Sequence, residues 1–258
     1  MNKKYDVIVI GAGMAGMTAA IYLRRAGKSV LVLEAQAQGG QIINTVGIEN
    51  WPGAFKVSGA ELTKSIFEQM KELGAEFEYA EVAEIVKIED GFKVVAEGEK
   101  YLCDAVILAM GTEPRKLSEK QMADVGERPI SYCATCDGAL YAGKPVVVVG
   151  SGNTAKHEIR YLENIASKVY HIHHDDPIPG DAAAVFVAIG RVPQTKFVKD
   201  LVKLNSEGYV VAGEDCKTSL SGAFVAGDCR TKKIRQLVTA AGDGSVAAAA
   251  AIDYLNKK

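Results

Sequence analysis

The stretch DVIVIGAGMAGMTAAIYLRRAGKSVLVLEA, residues 6–35, determines which fold the sequence predicts. Its apolar runs predict two strands, and Gly11, Gly13 and Gly16 form G-x-G-x-x-G at the start of a helix between them. The first two glycines let the backbone turn sharply and approach a pyrophosphate, and the third lets the helix pack closely on the strand. Glu34 lies 23 residues after Gly11, where a carboxylate accepts a hydrogen bond from a ribose hydroxyl. The stretch therefore predicts a βαβ unit that binds a dinucleotide.

A second copy of this pattern occupies residues 143–174, GKPVVVVGSGNTAKHEIRYLENIASKVYHIHH. Gly150, Gly152 and Ala155 repeat the spacing of the first triplet. Residues 220–255 return to the first fold with a short strand and a final helix that is rich in Ala and Gly and suited to close packing. We therefore predict an α/β protein that has a Rossmann-like nucleotide fold in residues 1–114 and 191–258. A truncated second nucleotide fold is inserted as residues 115–190.

The composition is that of a globular enzyme and gives no sign of a nucleic-acid or membrane partner. The chain has 258 residues and a formal net charge of −2. It has no apolar run near the roughly 20 residues that a membrane span needs, and we interpret the apolar N-terminal residues as a first strand rather than a signal peptide. Five cysteines are few for this length, which fits a reducing compartment, so we expect a cytoplasmic protein.

The segment SYCATCDG, residues 131–138, contains the cysteine pair that is best placed for redox chemistry. Cys133 and Cys136 face the same side of a helix's first turn, where a helix N-terminus favours a thiolate. Asp137 follows directly, and a carboxyl there can pass a proton to a leaving thiolate. The alternatives are a zinc half-site and two buried thiols. Zinc needs two more ligands, whereas the remaining cysteines are isolated and are interpreted as packing residues: Cys103, Cys216 and Cys229. We predict no metal.

Together these motifs resemble the low-molecular-weight thioredoxin reductases, a family of flavoprotein disulfide reductases. The resemblance covers most of the chain, and the motifs stand in the family's order: GAGMAG, GGQI, NWPG, YCATCDG, VGSGNTA, VAIGRVPQT, AGDC and RQLVTAAGDG. It implies that FAD binds in the first fold, that thioredoxin is the substrate and that the protein is a homodimer.

The resemblance also implies a role for each matching residue. The adenosine half of FAD would be held by Gly11, Gly13, Gly16 and Glu34. The flavin side would be lined by Gly39, Gly40, Gln41 and Asn50, and the ribitol chain would meet the Gly227–Asp228 turn. The isoalloxazine would be covered at a helix N-terminus by Arg235, Gln236, Leu237 and Val238. Of the redox residues, Cys136 would be the sulfur next to the flavin, Cys133 would attack the disulfide of thioredoxin, and Asp137 would donate a proton.

The segment HIHHDD, residues 171–176, departs from the family pattern. Members that use NADPH have arginines after this strand, because the guanidinium fork matches the 2′-phosphate. Here the histidines are mostly neutral near pH 7, and Asp175 and Asp176 would repel a phosphate. PIPGD, residues 177–181, then bridges directly to the next strand. Some clostridial members lack the pyridine-nucleotide motifs and take electrons from ferredoxin, so the resemblance predicts ferredoxin as the electron donor.

The sequence leaves several alternatives open. One is a thioredoxin reductase that uses NADPH through a compressed domain, and a second is NADH, with Asp175 accepting from a ribose. A third is an engineered or degenerate FAD scaffold without turnover. A metal site from His171, His173 and Asp175 would fit the alternation of a strand. If ferredoxin is the donor, four basic residues are candidate contacts: Arg115, Lys116, Lys232 and Lys233.

Overall fold

The structure is a computed structural model that describes residues 3–258. Residues 1 and 2, which the prediction included in the first domain, lie outside the described residues. The strands are β1 Lys4–Ile10, β2 Val30–Glu34, β3 Glu76–Tyr79, β4 Val82–Ile88, β5 Gly91–Ala96, β6 Glu99–Leu108, β7 Thr112–Pro114, β8 Ile130–Ser131, β9 Pro145–Val149, β10 Lys168–Ile172, β11 Val185–Val187, β12 Arg191–Pro193 and β13 Ala223–Val225. The α-helices are α1 Met14–Arg25, α2 Gly59–Glu72, α3 Glu119–Val125, α4 Ala134–Asp137, α5 Asn153–Leu162 and α6 Leu237–Leu255.

The chain divides into two compact units. Unit 1 comprises Met1–Thr112 and Pro193–Lys258, and unit 2 comprises Glu113–Val192. The predicted boundaries, 114/115 and 190/191, differ from these by two residues. The two crossings between the units lie in β7 and β12, which pair with each other as a small two-stranded sheet.

Unit 1 is built on one seven-stranded sheet. Its order is β3-β2-β1-β6-β5-β4, and β13 pairs with β6. Strands β1, β2, β3, β6 and β13 run parallel, whereas β4 and β5 form an antiparallel hairpin that continues from β6. The long strand β6 serves both parts, because its first half pairs with β5 and its last three residues pair with β13. This is the α/β fold that the sequence predicted.

Helices α1 and α6 cover one face of this sheet and pack against each other. A Cβ added to Gly244 of α6 would lie 2.3 Å from the carbonyl oxygen of Ala15 in α1, so only glycine allows this approach. Buried alanines on both helices, among them Ala19 and Ala248, fill the same cluster. The Ala- and Gly-rich composition of the last helix therefore has the packing role that the sequence indicated.

Unit 2 is built on a four-stranded parallel sheet of order β10-β9-β11-β8. Strand β9 alternates its valines between two apolar clusters. Val146 and Val148 face Ala134 and Leu162, from the α4 and α5 side, and the other two valines of the strand face Ile178. The sheet is therefore buried on both faces even though it has few strands.

The segment between β10 and β11 has no helix. It crosses the sheet as an irregular bridge, whose Ile178 and Ala182 are buried against β9 and β11. Helix α3 holds this bridge. The side-chain amide of Gln121 donates to the carbonyl oxygens of His173 (3.3 Å) and Asp176 (3.1 Å), and the guanidinium of Arg128 donates to the carbonyl of Pro179. In the described part of the chain, no helix is both long and apolar enough to span a membrane.

Candidate active site

The first glycine turn joins β1 to α1 in unit 1. Gly11 has φ +102° and donates its amide to the carbonyl of Leu33 (2.7 Å). Gly13 precedes α1, no side chain caps the helix, and a Cβ added there would meet nothing within 4 Å. The first amides of α1 therefore face open space, which is the arrangement that accepts a phosphate group.

Gly16 and Glu34 complete this turn. A Cβ on Gly16 would lie 1.9 Å from the Gly11 carbonyl oxygen, so the turn can close only with glycine there. Glu34 ends β2 and is half-buried, and its carboxylate accepts from the amides of Ala12 (2.7 Å) and Gln36 (2.9 Å). The carboxylate that the spacing predicted is thus fixed beside the glycine turn.

Gly39 and Gly40 begin a 3-10 turn, Gly40–Asn44, that lies against the first glycine turn. Both have positive φ, +101° and +62°. The Gly39 amide donates to the Ala12 carbonyl (2.8 Å), and a Cβ on Gly40 would lie 3.5 Å from the Gly13 Cα. The Gln41 side-chain amide donates to the carbonyl of Thr112, at the end of unit 1.

The segment after β13 forms a second edge of this site. Gly227 has φ +82° and would place a Cβ 2.9 Å from that of Ala15 in α1, so it brings the turn directly onto α1. The Gly227 amide donates to a carboxylate oxygen of Asp243 (3.0 Å). Asp228 follows and is half-buried, and its carbonyl accepts from the guanidinium of Arg235 (3.2 Å).

Asp243 was not singled out from the sequence, yet it fastens this turn. Its side chain is 9% exposed, and it also accepts from Arg230 through two nitrogens (2.9 and 2.7 Å) and from Lys232 (2.8 Å). The cations hold the pKa of Asp243 below its usual range although burial opposes this. Lys232 is only 6% exposed, so the prediction that it is an exposed contact for ferredoxin is wrong.

The N-terminus of α6 contains the remaining predicted residues of unit 1. Gln236 precedes the helix, and its side chain accepts from Asn50 (3.3 Å), which brings the NWPG segment to this helix. Arg235 lies over the ring of Tyr209, at 4.3 Å from its centroid. Leu237 packs beside Met14, the first residue of α1, whereas Val238 is 47% exposed.

The dithiol lies in unit 2 at the N-terminus of α4. Cys133 and Cys136 form a disulfide, with 5.3 Å between their Cα atoms. The helix has four residues, so the stabilisation of a thiolate comes from its first amides rather than from a long helix dipole. The other cysteines are buried, and burial raises the pKa of Cys103 to about 12 and those of Cys216 and Cys229 to about 11.

Ser131 joins Asp137 to the backbone of the dithiol. Its hydroxyl donates to the Asp137 carboxylate (2.7 Å) and accepts from the Cys133 amide (3.1 Å). Ser131 is 5% exposed, so these bonds are shielded from water. The sequence motif contained Ser131 but gave no signal for this contact, because a serine before a cysteine has no distinctive chemistry.

The second glycine turn, in unit 2, repeats the backbone of the first. Gly150 has φ +141° and donates to the carbonyl of Ile172 (2.9 Å), and a Cβ on Gly152, before α5, would meet nothing within 4 Å. In unit 1, Ile10 pairs with Leu33, and in unit 2, Val149 pairs with Ile172. The residue that corresponds to Glu34 is therefore His173. This register does not favour the alternative in which Asp175 accepts from a ribose of NADH, because Asp175 lies two residues further on.

The residues after β10 bind one another. The Asp176 carboxylate accepts from the His173 amide (2.8 Å). Asp175 has φ +76° and pairs with His174 (3.0 Å), and hydrogen bonds from Ser118 and then His174 lower its pKa. His171 bonds through Nε2 to the Gly150 carbonyl (2.7 Å). Within residues 3–258, no three His, Cys, Asp or Glu side chains are grouped to hold a metal, so the His171–His173–Asp175 site has no geometric support.

Known proteins resemble this chain over its whole length. The pyridine nucleotide-disulphide oxidoreductase family matches residues 5–180 and 178–244. Thioredoxin reductase of Bacillus subtilis is 38% identical and is covered to 96%, with 99% of this chain covered. The alignment has 305 positions, more than the 258 residues of this chain, so the relative has internal residues that this chain lacks.

Solved structures agree with this match. The thioredoxin reductase of Streptococcus pyogenes has a TM-score of 0.92 and 33% identity, with both chains covered completely. A ferredoxin-flavin thioredoxin reductase from Clostridium acetobutylicum has a TM-score of 0.65 and 28% identity, with 99% and 98% covered. Members of this group bind FAD, and the uncapped start of α1, with open space beside Gly13, leaves room for a phosphate group. The chain belongs to the pyridine nucleotide-disulphide oxidoreductase family and, within it, to the low-molecular-weight thioredoxin reductases.

Proposed function

We propose that this protein transfers electrons from FAD to the disulfide of thioredoxin through Cys133 and Cys136. The observation that carries this is the disulfide at the start of α4, with Asp137 held beside it by Ser131. A dithiol that merely stabilised the fold would need neither an adjacent carboxylate nor a shielded hydroxyl to orient it. Unit 1 would be the FAD domain, and unit 2 would be a redox domain that remains from an NADPH domain.

In this proposal, FAD supplies two electrons to the disulfide when it is bound. The α1 amides beside Gly11, Gly13 and Gly16 bind the pyrophosphate, and Glu34 binds the adenosine ribose. The flavin half would lie along the segment of Gly39, Gly40, Gln41 and Asn50, and the ribitol would contact Asp228 at the Gly227 turn. The residues at the start of α6 would cover the flavin ring: Arg235, Gln236, Leu237 and Val238. As the resemblance implies, we also propose a homodimer.

The two cysteines have different roles. Electrons enter at Cys136, and the S–S bond breaks. The Cys133 thiolate then attacks the disulfide of thioredoxin, which forms a mixed disulfide and releases one thioredoxin sulfur as a thiolate. Asp137 gives this sulfur its proton. Cys136 next attacks Cys133, which restores the Cys133–Cys136 disulfide and releases thioredoxin with both sulfurs reduced.

We propose reduced ferredoxin as the electron donor. The turn after β10 supports this, because it contains two carboxylates, which would repel a 2′-phosphate, and no arginine stands between residues 171 and 181. The bridge of residues 173–184 replaces the helix that a parallel crossover normally contains. Ferredoxin is a one-electron carrier, so two molecules would reduce one flavin. Arg115, Lys116 and Lys233 are exposed and remain candidate contacts.

Two alternatives are kept for the donor and one for the activity. The glycine turn of unit 2 is open at Gly152, which favours retained affinity for a nucleotide phosphate and hence an NADPH-dependent enzyme with a compressed domain. NADH would need a carboxylate at position 173, where histidine stands. A scaffold that binds FAD without turnover would have no use for the bond between Ser131 and Asp137.

The experiment is stopped-flow reduction of the bound flavin by reduced ferredoxin, NADPH and NADH in parallel. We expect fast reduction by ferredoxin that slows as salt screens the docking charges, and slow, unsaturable reduction by both nucleotides. Fast and saturable reduction by micromolar NADPH would restore the ordinary NADPH-dependent enzyme. A second assay follows thioredoxin thiols, where Cys133→Ser should abolish product while the flavin still accepts electrons. Full turnover by this variant would contradict the role of the dithiol.

A further inference from the structure

Glu158 is a buried carboxyl for which the reaction described above has no use. It lies in α5 of unit 2 and is 7% exposed, and its Oε2 has no hydrogen-bond partner within residues 3–258. The fold itself does not require a polar group there. Glu158 lies eight residues after Gly150. The equivalent residue in unit 1, eight residues after Gly11, is Ala19, and it is fully buried. An unsatisfied buried carboxyl is destabilising, so its presence points to a role.

The carboxyl of Glu158 lies beside the start of α4. The backbone amide of Ala134 donates a hydrogen bond to it. Ala134 is fully buried, is the first residue of α4 and directly follows Cys133. This amide belongs to the first turn of the helix, whose amides would otherwise stabilise a thiolate on Cys133.

We propose that Glu158 is a positioning residue that couples reduction of the Cys133–Cys136 disulfide to the uptake of a proton. It acts through the Ala134 amide. While the disulfide is intact, the carboxylate holds this amide. When reduction places negative charge on a sulfur, Glu158 takes up a proton and becomes a weaker acceptor, so the amide is released to the thiolate. The inference rests on the redox use of the dithiol proposed above.

Electrons and protons balance in this step. A dithiol reagent such as dithiothreitol supplies two electrons and two protons and closes its own disulfide. In the protein the S–S bond breaks and each sulfur gains one electron. One proton makes one sulfur a thiol, and the other proton goes to the Glu158 carboxylate while the second sulfur remains a thiolate.

The electrostatic surroundings favour this behaviour. Burial raises the pKa of Glu158 to about 7, against the lowering by the Ala134 amide and the charge of Arg191. A new thiolate nearby would raise this pKa further, because like charges repel. The elements packed on α5 are α4, β9 and β10. Besides the two cysteines, the titratable groups on these elements and on α5 itself are Asp137, Lys168, Tyr170, His171, Lys156, His157, Arg160 and Tyr161.

The test is the equilibrium of the full-length, FAD-loaded protein with dithiothreitol between about pH 6 and 8.5, a range centred near the expected titration. Rapid alkylation reports the fraction of reduced Cys133 and Cys136, because the other three cysteines are buried. Glu158→Gln keeps the shape and one acceptor but cannot ionise. The quantity compared is the equilibrium constant for reduction of the disulfide by dithiothreitol. We expect the wild-type constant, divided by that of Glu158→Gln, to fall as the pH rises above about 7, by up to about tenfold per pH unit. The control is Glu163→Gln, at the exposed end of α5, whose pH dependence should match the wild type.

Identical pH profiles for the wild type and Glu158→Gln would overturn the proposal. If Glu158→Gln does not fold, a second measurement tests the proposal. It is the infrared difference spectrum of the wild-type protein, reduced minus oxidised. It should gain a protonated-carboxyl band that persists in Asp137→Asn, and absence of that band contradicts the proposal. Neither measurement uses thioredoxin or ferredoxin, so failure here is distinct from failure of the proposed function.

Discussion

Gly11 and Gly150 begin two turns with the same hydrogen bond. The amide of each donates to the carbonyl at the end of the neighbouring strand, at 2.7 Å to Leu33 and 2.9 Å to Ile172. Gly13 and Gly152 then have φ of −73° and −79°, and each precedes a helix that no side chain caps. The main chemical difference between the turns comes afterwards. At the end of the second strand unit 1 has a glutamate, whereas unit 2 has a histidine followed by two aspartates that bind the turn itself.

If only unit 1 binds a nucleotide, as we propose, this difference means that a glycine turn and a nucleotide site are separate properties. The turn supplies amides that suit any phosphate. The end of the second strand, and the layers beyond it, decide which nucleotide can be held. In unit 1 the carboxylate of Glu34 is fixed to the Ala12 amide beside the turn. In unit 2 the carboxylates of Asp175 and Asp176 are taken by His174 and by the His173 amide, and a bridge without a helix follows.

The largest effect is expected from Gly13→Asp, which we compare with the matched substitution Gly152→Asp. A Cβ at either glycine meets nothing within 4 Å and neither φ is positive, so both variants should fold. In the proposed site the new carboxylate of Gly13→Asp would face the pyrophosphate of FAD, and we expect FAD affinity to fall by about a hundredfold or more, since loss of charge-assisted contacts and repulsion add. Gly152→Asp should retain FAD and its reduction by ferredoxin.

The measurements are the ratio of FAD to protein after purification and titration of the apoprotein with FAD. Circular dichroism checks that both variants are folded. A yellow Gly13→Asp would contradict the FAD site. Loss of activity in Gly152→Asp would show that the second turn still binds a nucleotide, and would favour the NADPH-dependent alternative.

The sequence predicted the α/β fold and the FAD cofactor correctly because these depend on local spacing. The glycine triplet, Glu34 at the strand end and the paired cysteines each lie within one short segment. Interactions between distant segments had no such signal. Asp243 accepts from the Gly227 amide and from Lys232, and Glu158 accepts from the Ala134 amide. Sequence shows that a residue is charged but not whether another segment covers it.

The register of strand pairing was the second feature that the sequence could not predict. The sequence left open that Asp175, a carboxylate after the second strand, accepts from a ribose, but strand pairing places His173 at the position of Glu34. Both second strands have five residues, so their pairing with β1 and with β9 decides this, and the pairing is not visible in a short apolar run. The roles of the individual FAD-site residues and of the two units stay predictions, since geometry alone shows where they lie and not what they bind.

A smaller effect is expected from the third position of each triplet. In Gly16→Ala the new Cβ would lie 1.9 Å from the Gly11 carbonyl oxygen, so the turn must open. We expect a loss of stability of about 3 kcal/mol, as for a severe overpacking substitution, together with weaker FAD binding. Unit 2 already has Ala155 at this position, with Gly150 at φ +141° in place of the +102° of Gly11.

The matched change is Ala155→Gly, which should cost about 1 kcal/mol through helix propensity alone. Thermal unfolding of the apoproteins measures the loss of stability in Gly16→Ala and in Ala155→Gly without interference from FAD affinity. Equal losses in the two variants would contradict the idea that the first turn is the tighter one.

The smallest expected effect is that of restoring arginines, as His173→Arg with His174→Arg. We expect no gain in the rate of flavin reduction by NADPH. Asp175 already pairs with residue 174 and would neutralise an arginine there, and Asp176 holds the backbone of residue 173. An arginine bound to a carboxylate of its own turn is a poor ligand for a phosphate, because that pair must first be broken.

The control adds Asp175→Asn, which frees residue 174 from its partner. Stopped-flow reduction should still be slow in the triple variant, since the bridge of residues 173–184 leaves no helix or further strand to hold the nicotinamide. Saturable reduction by NADPH in the triple variant but not in the double variant would show that charge alone, and not the shortened fold, had removed the nucleotide site.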